Sequence, residues 1–137
     1  YSRVSVWTVS ARIGAETVHT LTREYGSRPE DLVCVVGPSI GPCCFEVDSP
    51  VFEIFAAMGD LTPREWIRED GGGKYHIDLW EANRRILMRA GVPEQNISVS
   101  GLCTRCHPDL LFSHRATGGK RGGLAAFLAL READDEN

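Results

Sequence analysis

Residues 32–36, LVCVV, run directly into GPSIGPCC at 37–44, and no other stretch limits the fold so tightly. A β-branched apolar run of this length suits a strand buried on both faces. The two Gly-Pro pairs that follow, at 37–38 and 41–42, rule out continuing a strand or starting a helix there. Proline lacks a donor, and glycine gives up too much backbone freedom in regular structure. A loop must follow a strand that needs packed neighbours on each side.

Helical periodicity supplies those neighbours. Ser10 is placed to cap a helix whose apolar positions Ala11, Val18, Leu21 and Tyr25 recur at three- and four-residue steps, and Gly26 ends it. Ser49 and Pro50 read as a cap and first-turn proline for VFEIFAAMG, which stops by Gly59. Asp78 caps LWEANRRILMRAG, with Leu79, Ala82, Ile86 and Ala90 toward the core; Trp80 and Leu87 lie off that stripe and need a second neighbour or an interface. REDGGGKYHIDL reads as a glycine-rich turn entering the strand YHI, and ISVSGLC (97–103) alternates as a strand does. FSHR, ATGGKRGG and LAAFLAL (112–130) have the outline of a hairpin with a long tip. Strands and helices alternate without strict βαβ repetition, so the expected class is α+β, a mixed sheet with packed helices.

The chain has 137 residues, 42% hydrophobic and 25% charged, enough for one domain with a core. A formal charge of −4 with scattered basic residues gives counterion release little to work with, so nucleic acid is not an expected partner. No apolar run reaches the roughly 18–20 residues needed to span a bilayer, and YSRVSVWTVS lacks a signal-peptide core. Five cysteines, an odd number in a chain that needs no staples, point to a reducing, cytoplasmic setting.

The run CTRCHPDLLFSHR (103–115) concentrates the reactive side chains. Cys103, Cys106 and His107 have the spacing of a haem attachment site, which needs a second axial ligand and an oxidising compartment. Cys43, Cys44, Cys103 and Cys106 make a candidate zinc knuckle, although adjacent cysteines tend to point apart. Cys103 and Cys106 make a candidate redox pair if a helix N-terminus lowers one thiol pKa. Cys34 reads as a buried small hydrophobe, and His19 and His76 as structural or solvent-facing. On a strand, Ser113 and Arg115 would face one side and His114 the other, so the three would not meet one ligand. A guanidinium here suits a phosphate and an imidazole suits proton transfer; a polar hairpin edge explains the same residues equally well.

Three motifs in order, GPSIGPCCFEV, HIDLWEANRRILMRAGV and ISVSGLCTRCHPDLLFSHR, resemble the YfiH/YlmD laccase-domain family, also called the multicopper polyphenol oxidase family. The Cys-Thr-x-Cys-His-Pro-Asp and Phe-Ser-His forms resemble its vertebrate branch most. The match runs over residues 11–130, with 1–10 an atypical segment, an expected alternative start, and 131–137 an acidic tail.

The resemblance implies a purine nucleoside phosphorylase acting on adenosine, inosine and methylthioadenosine with phosphate, with adenosine deamination as a companion activity. It also implies a metal, zinc or in the older naming copper, held by two histidines and one cysteine. These lie in Gln-Val-His-Gly, Thr-Ala-Asp-Cys and His-(Ala/Ser)-Gly-Trp-(Arg/Lys)-Gly, none of which occurs here. The chain is therefore expected to correspond to the C-terminal half of the family domain, to lack metal ligands and to be inactive alone. Gly123 departs from an arginine common in bacterial relatives. By motif match Cys103, Thr104, Ser113 and Arg115 lie near substrate, with His107 and His114 as neighbours. Arg115 is expected to hold phosphate, and Cys103 and Thr104 to shape the purine or ribose pocket. Removal of half a shared core would favour self-association or a protein partner, with Trp80 and Leu87 as the expected surface. A free-standing thiol module through Cys103 and Cys106 is the remaining alternative.

Overall fold

The computed structural model describes residues 12–127. Its first helix, α1 (Ile13–Tyr25), ends on Gly26 at φ 68°, where a left-handed residue lets the Gly26 and Ser27 N–H groups donate to Thr22 O and Leu21 O at 3.1 and 3.2 Å. Its start is at Arg12, itself left-handed at φ 53°; the expected cap Ser10 and the stripe residue Ala11 lie outside the described residues. Arg12 Nη1 and Nη2 fork onto the Asp60 carboxylate at 2.8 and 2.5 Å, tying the helix start to the turn after the second helix. Val18 is buried, but Tyr25 is 76% exposed, so the stripe is covered only in its middle.

The strand β1 (Cys34–Val36) pairs in parallel with β5 (Ile97–Val99), Cys34 opposite Ile97 and Val36 opposite Val99. The expectation of burial on both faces fails: Val33 is 67% and Val35 62% exposed. The third helix packs on one side of this pair, and no described element covers the other. One further parallel bridge, Ser39 to Cys103, carries the pairing past the Gly-Pro loop.

The second sheet is antiparallel, in the order β2 (Glu46–Asp48), β4 (Lys74–Ile77), β3 (Ile67–Gly71). Gly71, Gly72 and Gly73 sit at φ 88°, 61° and 73°, a turn closed to side-chain-bearing residues, so REDGGGKYHI forms a whole hairpin where the sequence indicated one strand. The helix α2 (Ser49–Ala56) begins directly after β2, with Asp48 preceding the first turn and Pro50 inside it; Ser49 is the first helical residue and not its cap. α3 (Leu79–Arg89) starts as expected, Asp78 Oδ1 accepting from the Trp80 and Glu81 N–H groups at 3.0 Å each. Its buried residues are Leu79, Ala82 and Ile86.

Those residues meet Phe45, Val47, Phe55, Met58, Leu61, Trp66 and Ile77 in one core. Phe55 and Trp66 pack edge to face at 6.0 Å and 86°, and the Trp66 Nε1–H finds Leu61 O at 2.8 Å, so the indole is buried with its donor satisfied. Leu87 and Trp80 find their second neighbours within the chain. A Cβ built on Gly14 of α1 would sit 3.3 Å from Leu87 Cδ2, and one on Gly41 would sit 2.6 Å from Trp80 Cη2. The expected association surface is therefore not formed by these two residues.

The hairpin expected at 112–130 is absent among the described residues; 112–127 hold no strand, and 128–130 lie outside them. The chain turns on itself instead. Ser113 O accepts from the Thr117 N–H and hydroxyl at 3.2 and 2.9 Å, Ser113 Oγ accepts from Ala116 N–H at 3.2 Å, and Gly119 N–H donates to His114 O at 3.0 Å. Serine and threonine here offer the backbone local partners that replace a ladder. The α+β class holds, with three helices and mixed small sheets in the described residues.

Candidate functional site

The parallel bridge after β1 brings the Gly-Pro loop beside the CTRCHPD turn, and Thr104 N–H donates to Ser39 O at 3.0 Å. Against this seam lie β2 and the folded-back segment at 112–121. Together they enclose a cleft of about 740 Å³ whose lining includes Ser39, Phe45, Glu46, Asp48, Lys74, Thr104, Ser113, His114, Arg115 and Arg121. That volume suits a small organic ligand with an anion beside it.

Four of the six residues expected at the site line the cleft: Thr104, Ser113, His114 and Arg115. Thr104 and Ser113 are buried in its wall. Alternation along a strand would have separated His114 from Ser113 and Arg115, but the segment is a turn, and all three face the same cavity. The Arg115 guanidinium donates from Nη1 to Glu46 O at 3.1 Å and lies 5.7 Å from the Phe45 ring centroid, a packed position that leaves further donors on the fork.

Cys103 and His107 are not in the lining. Cys103 is buried behind Thr104, its sulfur accepting the Gly41 N–H at 3.3 Å, and His107 is exposed. Sequence reasoning missed Phe45, Glu46, Asp48, Lys74 and Arg121. The Asp48–Lys74 ion pair is fixed by the antiparallel register, which sets these two residues opposite each other; only the position of Phe45 to Asp48 directly after the GPCC run marked them.

Next along the chain from the lining residues Phe45 and Thr104, the sulfurs of Cys43, Cys44, Cys103 and Cys106 all lie within 4.8 Å of one another. Cys106 Sγ is 3.7 Å from Cys43 Sγ and 3.5 Å from Cys44 Sγ. The expectation that this chain lacks metal ligands is not supported: the set differs from the one the resemblance implied, but these four thiols could hold a metal ion. Burial opposes ionisation of Cys103, yet N–H groups of Gly41, Cys106 and Arg105 outweigh it and lower its pKa to about 6. Desolvation, with the neighbouring thiols, pushes Cys43 up to about 12, and Cys106 is raised by its contacts with Cys44 and then Cys103. Thioether bonds to a haem would need Cys103 and Cys106 to face an open slot, whereas both sulfurs face Cys43 and Cys44. The other such group among the described residues is Glu46, Asp70 and His76, on the exposed side of the second sheet.

Residues 7–131 match the sequence family described as multi-copper polyphenol oxidoreductase laccase. The purine nucleoside phosphorylase YlmD of Bacillus subtilis is 40% identical over 125 residues, covering 89% of this chain and 44% of that protein. The purine nucleoside phosphorylase LACC1 of Homo sapiens is 36% identical over 124 residues, covering 88% of this chain and 28% of that protein. The vertebrate-type motifs are thus outweighed by the rest of the chain, which is nearer to the bacterial protein. An adenosine deaminase, RL5, from an unknown prokaryotic organism is 37% identical over 115 residues, 81% of this chain and 42% of that protein. The crystal structure of Bacillus licheniformis YfiH superposes with a TM-score of 0.76 at 36% identity, covering 82% of this chain and 42% of that one. The chain spans less than half the length of each relative. A match of this extent, on a shared fold, makes the chain a member of the multi-copper polyphenol oxidoreductase laccase family.

Proposed function

We propose that this chain forms the phosphate and nucleoside side of a purine nucleoside phosphorylase cleft, with adenosine deamination as a companion activity of the whole protein. The relatives carry those two activities in their names, and the observation that bears the reading is Arg115 standing in the cleft with Thr104, Ser113 and His114. In phosphorolysis a phosphate oxygen bonds to C1′ of the ribose as the C1′–N9 bond breaks, and the electron pair leaves with the purine, which takes up a proton. A planar guanidinium presents paired donors to phosphate, and an imidazole is suited to deliver the proton. We assign the first role to Arg115 and the second to His114, with the Thr104 and Ser113 hydroxyls orienting the ligand. Arg121 and Lys74 add positive charge along the same wall. Five unpaired thiols suit a reducing compartment, and we place the protein in the cytoplasm; no helix among the described residues is long and apolar enough to cross a membrane.

The described residues do not form a histidine-rich copper oxidase centre. Copper oxidase centres gather histidines, and among the described residues neither ligand cluster contains more than one histidine. Isothermal titration with orthophosphate and with inosine tests the reading. Arg115→Ala is expected to weaken phosphate binding at least about tenfold, from loss of a charge-assisted hydrogen bond of roughly 1.5–3 kcal/mol, and to leave inosine binding nearly unchanged. Equal phosphate affinity in both proteins would refute it.

A further inference from the structure

We propose that Cys43, Cys44, Cys103 and Cys106 form a tetrathiolate zinc site that clamps the Gly-Pro loop to the CTRCHPD turn and so fixes the floor of the cleft. The sulfur spacing suits the ion. Four sulfurs at tetrahedral corners, each about 2.3 Å from zinc, lie about 3.8 Å from one another; the Cys106 sulfur here is 3.7 Å from that of Cys43 and 3.5 Å from that of Cys44, and all four sulfurs fit within 4.8 Å.

Both halves of the site have local reasons to present two ligands. Cys103 and Cys106 have the two-residue spacing common to zinc knuckles, in a turn closed by the Cys106 and His107 N–H groups donating to Cys103 O at 3.2 Å each. Adjacent cysteines on a strand would point to opposite faces, but Cys43 and Cys44 lie in a turn whose Cys44 and Phe45 N–H groups donate to Gly41 O at 3.0 and 2.9 Å. In a helical turn successive side chains are about 100° apart, close enough to converge. The Gly41 N–H on the Cys103 sulfur supplies outer support of the kind that steadies a metal-bound thiolate.

Four protein ligands leave no position for water or substrate, so the site is structural. Zinc entry displaces the thiol protons to solvent, up to four per ion, and leaves a dianionic centre. Cys43 and Cys106 are exposed, which gives the ion a path in. Cys44 directly precedes Phe45 and Glu46, and Cys103 directly precedes Thr104, so the clamp acts on residues that line the cleft. None of this depends on which ligand the cleft takes.

The test is metal content and spectroscopy of the 137-residue chain, purified under reducing conditions. Zinc measured by mass spectrometry after gel filtration is expected at one ion per chain. Cobalt(II) in its place is expected to show thiolate charge-transfer absorption and the visible bands of a tetrahedral site. Cys106→Ser should weaken zinc binding by more than the roughly 10–100-fold that loss of a supporting group costs. If that variant fails to fold, alkylation of the native chain decides: zinc should shield four thiols and leave Cys34 as the one labelled. Stoichiometry far below one, unchanged affinity in Cys106→Ser, unshielded cysteines, or a Cys106 disulfide to Cys43 or Cys44 that persists under zinc excess would each overturn the proposal.

Discussion

Gly41 is the position where a single added methyl group should do the most damage for its size. A Cβ there would lie 2.6 Å from Trp80 Cη2, 3.0 Å from Cζ2 and 3.3 Å from Cys103 Cβ. The indole has little room to retreat, because its Nε1–H is held by Ser39 Oγ at 2.8 Å. Overpacking of this kind costs about 1–3 kcal/mol, and swinging the ring away gives up a hydrogen bond of about 0.5–1.5 kcal/mol. Gly41→Ala is therefore expected to lose about 2–4 kcal/mol, which at a urea m-value of about 2 kcal/mol/M lowers the unfolding midpoint by about 1–2 M. Trp80→Phe removes the clashing ring atoms, so in that background the same substitution should cost at least about 1 kcal/mol less. Equal costs in the two backgrounds, or a Gly41→Ala protein within about 0.5 kcal/mol of the parent, would show that the loop does not pack on Trp80 as described.

Two further outcomes follow from the structure. Glu81 accepts from Arg84 Nε at 2.7 Å and from Arg85 Nε at 2.6 Å, and the Arg84 hydrogen bond leads in holding its carboxyl below the ordinary range; a depressed carboxyl stabilises the fold above its unfolded pKa and stops doing so as pH falls through the folded value. Glu81→Gln should thus cost about 1–2 kcal/mol at neutral pH and converge with the parent in acid, as urea melts at several pH values will show; a gap that stays constant into acid would contradict this. The face of β1 that no described element covers, with Val33 and Val35 exposed, should make the 137-residue chain self-associate at micromolar concentration, and Val35→Lys should reduce this in light scattering; a monomeric parent would contradict it.

The legible parts of the fold were those whose signals are local. α3 announced itself through Asp78, the Leu79, Ala82 and Ile86 stripe and the glycine after its last turn. β3 gave no such signal, because IREDG lies on an outer edge and four of its five residues are exposed, so nothing forces apolar alternation on it. LVCVV marked a strand correctly, yet β-branching reports a preference for pleated backbone and not how many faces another layer covers. The segment at 112–119 misleads for the opposite reason. Its glycines and apolar residues resemble a hairpin, while Ser113 and Thr117 hold local hydrogen bonds that compete with a ladder and win.

The site depends on contacts that sequence spacing does not encode. Cys43 and Cys106 are 63 positions apart, and what brings them together is a parallel pairing of β1 with β5, continued by the Ser39–Cys103 bridge. From the chain alone, two cysteine pairs with only one knuckle-like spacing speak against a shared metal; in the folded chain the turn at 42–44 leaves both adjacent thiols within 4.8 Å of Cys103 and Cys106. The same logic applies to Ser113, His114 and Arg115, which a strand would have split between two faces and a turn gathers into one cleft. At 113–115 a turn, with about 100° per residue, stands where the sequence suggests a strand with 180° between neighbours; at 43–44 the expected loop is a turn tight enough to bring adjacent thiols together. Residue identities marked the right chemistry, and backbone conformation decided which side chains could act on one ligand.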